Sequence, residues 1–204
     1  MNSLFPHVAA PLAVGSKTMP NRIVIPPMAD IIQKVPGNYV TEYMLQRYKA
    51  YTAGNPGMIV VEGSNVTEMR DVREAIGLWK DDFIPPLRRL AEIVKAGGAV
   101  GLIQISNVGL KVMDENSIAD ISREQFLSYK EDFIRAAVRC REAGFDGVEL
   151  QGAHGYYLCQ VIETSARDDE YGGSFENRIR LLVELVQDIK KACGSDFIVS
   201  ARIG

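Results

Sequence analysis

The feature that most constrains this chain is a repeated alternation of short, mostly apolar runs with longer amphipathic stretches. The short runs are "RIVIPPM" (Arg22 to Met28), "GMIVVEG" (Gly57 to Gly63), "AVGLIQIS" (Ala99 to Ser106), "GVELQ" (Gly147 to Gln151) and "DFIVSARIG" (Asp196 to Gly204). Between them lie segments with apolar residues at helical spacing, such as Met44, Leu45, Tyr48 and Tyr51. Their ends carry the local chemistry of helix termini. Thr41, Ser122 and Ser174 stand at N-cap positions, Gln125 follows Ser122 at capping-box spacing, and Gly97 stands at a stop. Asp81 or Asp82 opens another helix, with prolines in its first turns. The pattern reads strand–helix four times and then a strand.

Strands that are apolar throughout and separated by helices belong to a parallel sheet covered on both faces. A doubly wound sheet and a (β/α)8 barrel both fit. Two observations favour the barrel. No strand-to-helix turn carries a Gly-rich phosphate loop. Polar or special residues stand instead at the end of every strand: Pro27-Met28, Glu62-Gly63, Gln104, Gln151 to His154, and Arg202. Barrel active sites are assembled from several such strand ends. A complete barrel needs about 250 residues, and this chain of 204 reaches only the fifth strand. The expectation is therefore a (β/α)8 TIM barrel with about the first five strands present, residues 1–204 being the N-terminal part of one domain. Sheet edges at the first and fifth strands would offer a route to a homo-oligomer.

The remaining composition narrows the class by exclusion. A net charge of −3, from 23 basic and 26 acidic residues, carries no nucleic-acid footprint. Cys140, Cys159 and Cys193 share no metal-ligand spacing, so no metal site is expected, and they read as reduced, buried thiols. The first residues lack the basic start and apolar block of a signal peptide, and no apolar run reaches 18 residues. A cytoplasmic protein without membrane contact is the expectation.

Gln104, Gln151, His154 and Tyr156 together offer amide, imidazole and phenol groups with few charges. Such a lining suits a neutral heteroaromatic ring or a carbonyl better than a phosphate. A phenol keeps its proton at neutral pH and can serve as a proton donor. Two spaced donors such as Gln151 and His154 could polarise a carbonyl oxygen, one such donor being worth ~3 kcal/mol in comparable sites. Taken singly, His154, Tyr156 and Met28 each have an ordinary structural reading. Gln104 is the stronger signal, because an uncharged amide inside an apolar strand needs a partner.

"LFPHVAAPLAVGSKTMPNRIVIPPM" resembles the start of the old yellow enzyme family of FMN-dependent oxidoreductases, with a short hairpin before a strand ending in Pro-Met. "GAHGYYLCQ" and the later "RDDEYGGSFENRIRLLVELVQDIK" are similar to the family's central signature, and "VVEGSNVT" and "LIQISNVG" are in register with it. The resemblance covers essentially the whole chain. It implies that Pro26, Pro27, Met28 and Ala29 lie against a flavin, that Gly63 meets the ring edge near N5 through its backbone, and that Gln104 bonds the pyrimidine part. Arg202 would sit near N1 and O2, where a cation is electrostatically sensible. Tyr156 matches the family's proton donor, and Gln151 with His154 matches the pair that grips a substrate carbonyl. The Tyr171-to-Arg178 run reads as structural.

The chain departs from the family pattern at Gln151, where His or Asn is usual, and at "NVGL" (Asn107 to Leu110), where "HAGR" is common. The implied activity is that of an ene-reductase using NADH or NADPH, with an unsaturated carbonyl compound as substrate. In the family the FMN phosphate is held after strands seven and eight, which would lie beyond this chain. Two alternatives stand beside this reading. One is the N-terminal part of a multidomain FMN and iron–sulfur dienoyl-CoA reductase or amine dehydrogenase relative. The other is a barrel fragment without catalysis that self-associates through its open edges.

Overall fold

The computed structural model describes residues 4–30, 34–68, 75–107 and 117–204. A short helix α1 (Pro6–Ala9) leads into an antiparallel hairpin of β1 (Leu12–Val14) and β2 (Lys17–Met19), with Val14 opposite Lys17. Then follow β3 (Val24–Ile25), α2 (Glu42–Ala53), β4 (Met58–Asn65), α3 (Ile84–Lys95) and β5 (Val100–Ser106). The chain continues through α4 (Ser117–Asp120), α5 (Arg123–Glu142), β6 (Gly147–Gly152), α6 (Tyr157–Glu163), α7 (Phe175–Cys193) and β7 (Ile198–Ile203). Strands β3 to β7 form one sheet in sequence order, every pairing parallel. Consecutive parallel neighbours joined by helices are the arrangement of a (β/α)8 barrel, here its first five strands.

The caps behave as local chemistry requires. The side chains of Thr41, Ser122 and Ser174 accept hydrogen bonds from the amides of Met44, Gln125 and Asn177. Helix α3 ends at Lys95 with Ala96 as its C-cap, so Gly97 follows the cap as the sequence suggests, and the left-handed glycine of the stop is Gly98, with φ +81°. The first strand is also shorter than its apolar run. Only Val24 and Ile25 pair, with Met58 and Ile59. Pro26 and Pro27 have no amide hydrogen to donate to a ladder, so pairing ends there.

Strand alternation divides the apolar residues into two cores. On the helix side, Ile59, Val61, Ile103, Ile105, Val148 and Leu150 pack beneath Leu87, Leu90, Phe126, Phe133, Leu181 and Leu185. On the opposite side, Met58, Val60, Val100, Leu102 and Ile198 pack with Met19 and Val14 of the hairpin. The hairpin thus closes the N-terminal end of the sheet. It is held there by the Ser16 hydroxyl, which donates to the Asp196 carbonyl (2.7 Å), and by Lys17, 3.2 Å from the Asp146 carboxylate. The three cysteines are buried and free, as expected. No helix among the described residues is long and apolar enough to cross a membrane, and no His, Cys, Asp and Glu cluster among them could hold a metal.

Candidate active site

Along the face closed by the hairpin, residue character changes from apolar to polar toward the C-terminal ends of the strands. Val100 and Leu102 give way to Gln104, and Gly147 gives way to Glu149 and Gln151. Strand β4 changes by a different route. Its register shifts between Val61 and Ser64, breaking strict alternation. The Glu62 carboxylate is ion-paired with Arg47 of α2, while Gly63 presents its Cα hydrogen toward the polar cluster. Bulges of this kind re-aim side chains near functional sites. Of the pair Glu62-Gly63, then, the acid is committed to Arg47 and the glycine faces the amide cluster.

A Cβ on Gly63 would stand 3.2 Å from Gln104 Oε1 and 3.3 Å from Gln151 Oε1. Three residues singled out from sequence therefore converge on one point. Both glutamines are deeply buried, at 3% and 5% exposure. Gln104 is anchored from below, its Nε2 donating to Glu149 Oε1 at 2.9 Å. Gln151 Oε1 is buried and has no hydrogen-bond partner. An orphaned buried acceptor costs roughly 1–3 kcal/mol unless something donates to it. Arg202, half-buried on β7, is the register partner of Gln151 and acts electrostatically on Glu149. Burial pushes the Glu149 carboxyl up, and Gln104 and Arg202 draw it part of the way back.

His154 and Tyr156 lie in the turn directly after β6. His154 is exposed with φ +63°, followed by Gly155 at +70°. The Gln160 side chain donates to the Gly155 carbonyl at 2.7 Å and braces this turn from α6. Tyr156 is half-buried at the N-cap position of α6. Pro26 to Ala29 follow β3 at the same end of the sheet, with Met28 49% exposed. Asn107, just beyond β5, is fully buried, and neither of its side-chain polar atoms has a partner. Leu110 lies outside the described residues.

The Tyr171-to-Arg178 run supports the loop beside this turn. Asn177 Nδ2 donates to the Gly172 carbonyl (3.1 Å), and Arg178 donates to the Ile162 carbonyl (2.9 Å) at the end of α6. Gly172 is obligatory, because a Cβ there would meet the Arg167 carbonyl oxygen at 2.1 Å. Sequence reasoning overlooked two features of the site region, Glu149 and helix α6. Glu149 did carry a signal: it is an acid two residues before Gln151 in an apolar strand, and so shares its face.

A profile of the NADH:flavin oxidoreductase / NADH oxidase family matches residues 7–122 and 118–204. The NADPH dehydrogenase of Listeria monocytogenes is 32% identical over 200 residues, covering 89% of this chain and 59% of that protein. An old yellow enzyme from Pichia sp. superposes with a TM-score of 0.83 at 26% identity, over 97% of this chain and 59% of its own. The 6-hydroxypseudooxynicotine amine oxidase of Pseudomonas geniculata superposes with a TM-score of 0.86 at 25% identity, over 100% of this chain and 34% of its own. The chain thus spans about 59% of the length of the curated relatives it matches. With its profile match running almost end to end, the chain belongs to the NADH:flavin oxidoreductase / NADH oxidase family.

Proposed function

We propose that this chain forms the flavin-facing and substrate-facing part of an FMN-dependent ene-reductase that draws electrons from NADH or NADPH. Family membership implies both cofactors. The observation that carries the reading is the convergence of Gly63, Gln104 and Gln151, with the buried Gln151 Oε1 left for a ligand to satisfy. The residues fit a flat, neutral heteroaromatic ring. The missing Cβ of Gly63 lets the two amides close on one point, Gln104 and Gln151 would offer those amides to the ring edge, and Arg202 would supply a cation. Pro26, Pro27, Met28 and Ala29 would form the apolar surface against which the ring lies. When bound, FMN would take hydride from the nicotinamide and pass it to an activated carbon–carbon double bond.

The remaining chemistry belongs to side chains of this chain. The Gln151 amide and the His154 imidazole would donate to the carbonyl oxygen of an α,β-unsaturated substrate and draw electron density from its double bond. The Tyr156 phenol would give its proton to the α-carbon. Glutamine is longer than the usual histidine or asparagine, and Gln151 reaches from β6 to within contact of the Gly63 position. The test is a half-reaction experiment on the FMN-loaded protein. Anaerobic NADPH should bleach the flavin absorbance, and an enone such as cyclohexenone should restore it. A protein that takes up no FMN would overturn the site reading. One that is bleached by NADPH but not reoxidised by any enone would overturn the ene-reductase part alone.

A second reading is supported by the amine oxidase neighbour, which superposes on the whole of this chain. If an amine rather than an enone exchanged electrons with the flavin, that reading would replace the first.

A further inference from the structure

We infer that Glu149 is a positioning residue that decides which end of the Gln104 amide is presented to the ligand. Gln104 and Glu149 are direct register partners on the adjacent strands β5 and β6, joined at 2.9 Å. The two ends of a primary amide are alike in shape and opposite in function. One donates and the other accepts, so its orientation is set by its neighbours. An ionised carboxylate only accepts. It therefore claims Nε2 and turns Oε1 toward the point in front of Gly63, where that atom is found. A protonated Glu149 would have a hydroxyl to donate to Oε1. Half a turn of the amide would then present Nε2 to the ligand.

The charge of Glu149 is itself contested. Burial disfavours ionisation, while Gln104 and Arg202 favour it. Arg202 is the charged group on β7 that acts on it, and β5 contributes only the neutral Gln104. On β4 the Glu62 carboxylate is committed to Arg47. From the closed end of the sheet, Lys17 and Lys95 are committed to Asp146. The polarity of the ligand-facing amide thus follows one proton on one half-buried carboxyl. The identity of the ligand as FMN rests on the function proposed above; the amide lock does not.

The two can be tested apart. In the FMN-free, 15N-labelled protein, the Gln104 side-chain NH2 signals, assigned by their loss in Gln104→Met, should shift as pH falls from 8 to 4. In Glu149→Gln, whose neutral amide can donate or accept, that titration should vanish. In the loaded protein, Glu149→Gln should weaken FMN binding about five- to tenfold by fluorescence quenching, the loss of one well-oriented hydrogen bond, and should move the flavin visible band. Gln104 signals that do not respond to pH in the native protein would overturn the inference, whether or not the variant folds. So would FMN affinity and a visible band unchanged in a folded Glu149→Gln. A normal Gln104 titration in a native protein that binds no FMN would uphold the lock and overturn only the flavin reading.

Discussion

His154 holds its exposed imidazole on a left-handed backbone, φ +63°, which costs a residue other than glycine roughly 1–2 kcal/mol. Gly155 shares that conformation without the penalty, so the turn needs two left-handed residues and uses glycine for one. Strain kept at a site is a reason to look for function there. His154→Gly should therefore unfold within about 1 kcal/mol of the native protein, relief of strain offsetting added unfolded-state freedom. The same variant should raise the KM for an enone several-fold. A large loss of stability in urea denaturation would mark the imidazole as structural. Tyr156→Phe separates the two half-reactions: enone-driven reoxidation should slow by about 100-fold or more, the usual worth of a positioned acid, while NADPH-driven bleaching stays unchanged. Equal loss in both stopped-flow phases would remove Tyr156 from the donor role. Gly63→Ala tests the convergence point, where a methyl would press on two amide oxygens at 3.2 and 3.3 Å. FMN affinity should fall while the thermal midpoint moves little.

At the scale of elements, what was legible in the sequence was what depends on near neighbours. The caps at Thr41, Ser122 and Ser174 each need a partner only three residues away, and all three form. Apolar runs bounded by polar strand ends located the parallel strands, and with them Gly63, Gln104 and Gln151. The bulge that separates the roles of Glu62 and Gly63 was not legible, because it reflects the fit of β4 against β5 and α2. The Gln104–Glu149 bond joins residues 45 positions apart and has no local signature. Arg167 is a third long-range case. Only 7% exposed, it stacks 4.7 Å from the Phe126 ring centroid, pairs with Asp169, and donates to the Ile118 and Ile121 carbonyls at 2.7 and 2.8 Å. It ties the loop after α6 to the segment entering α5. Arg167→Met should leave two carbonyls and a carboxylate without their donor and cost about 2–4 kcal/mol, read as a lower urea midpoint at unchanged m-value.

At the scale of the molecule, the two ends of the sheet differ in character. The amide cluster stands at the C-terminal ends of the strands, and the hairpin covers the N-terminal ends, the usual division in barrels. Asp146 holds that covered end together. It is 8% exposed, accepts from the Gly101 amide at 3.0 Å, and lies 2.9 Å from Lys95 and 3.2 Å from Lys17. One carboxylate thereby joins the hairpin, α3, β5 and the entry to β6. Burial alone would push this carboxyl up, yet the Gly101 amide and the two ammonium groups together hold it below the ordinary carboxylate range. A depressed folded-state pKa means that the unfolded chain binds the proton more readily. The resulting stability is fully present above the unfolded value of about 3.9 and is lost as pH falls through the lower folded value. Asp146→Asn should therefore destabilise the protein at pH 7 and converge with the native protein below about pH 4. Urea midpoints for the two proteins, measured from pH 7 downward, would show this as a gap that closes. A gap of constant width would mean that the Asp146 charge plays no part, and that the site is held by shape and backbone hydrogen bonding alone.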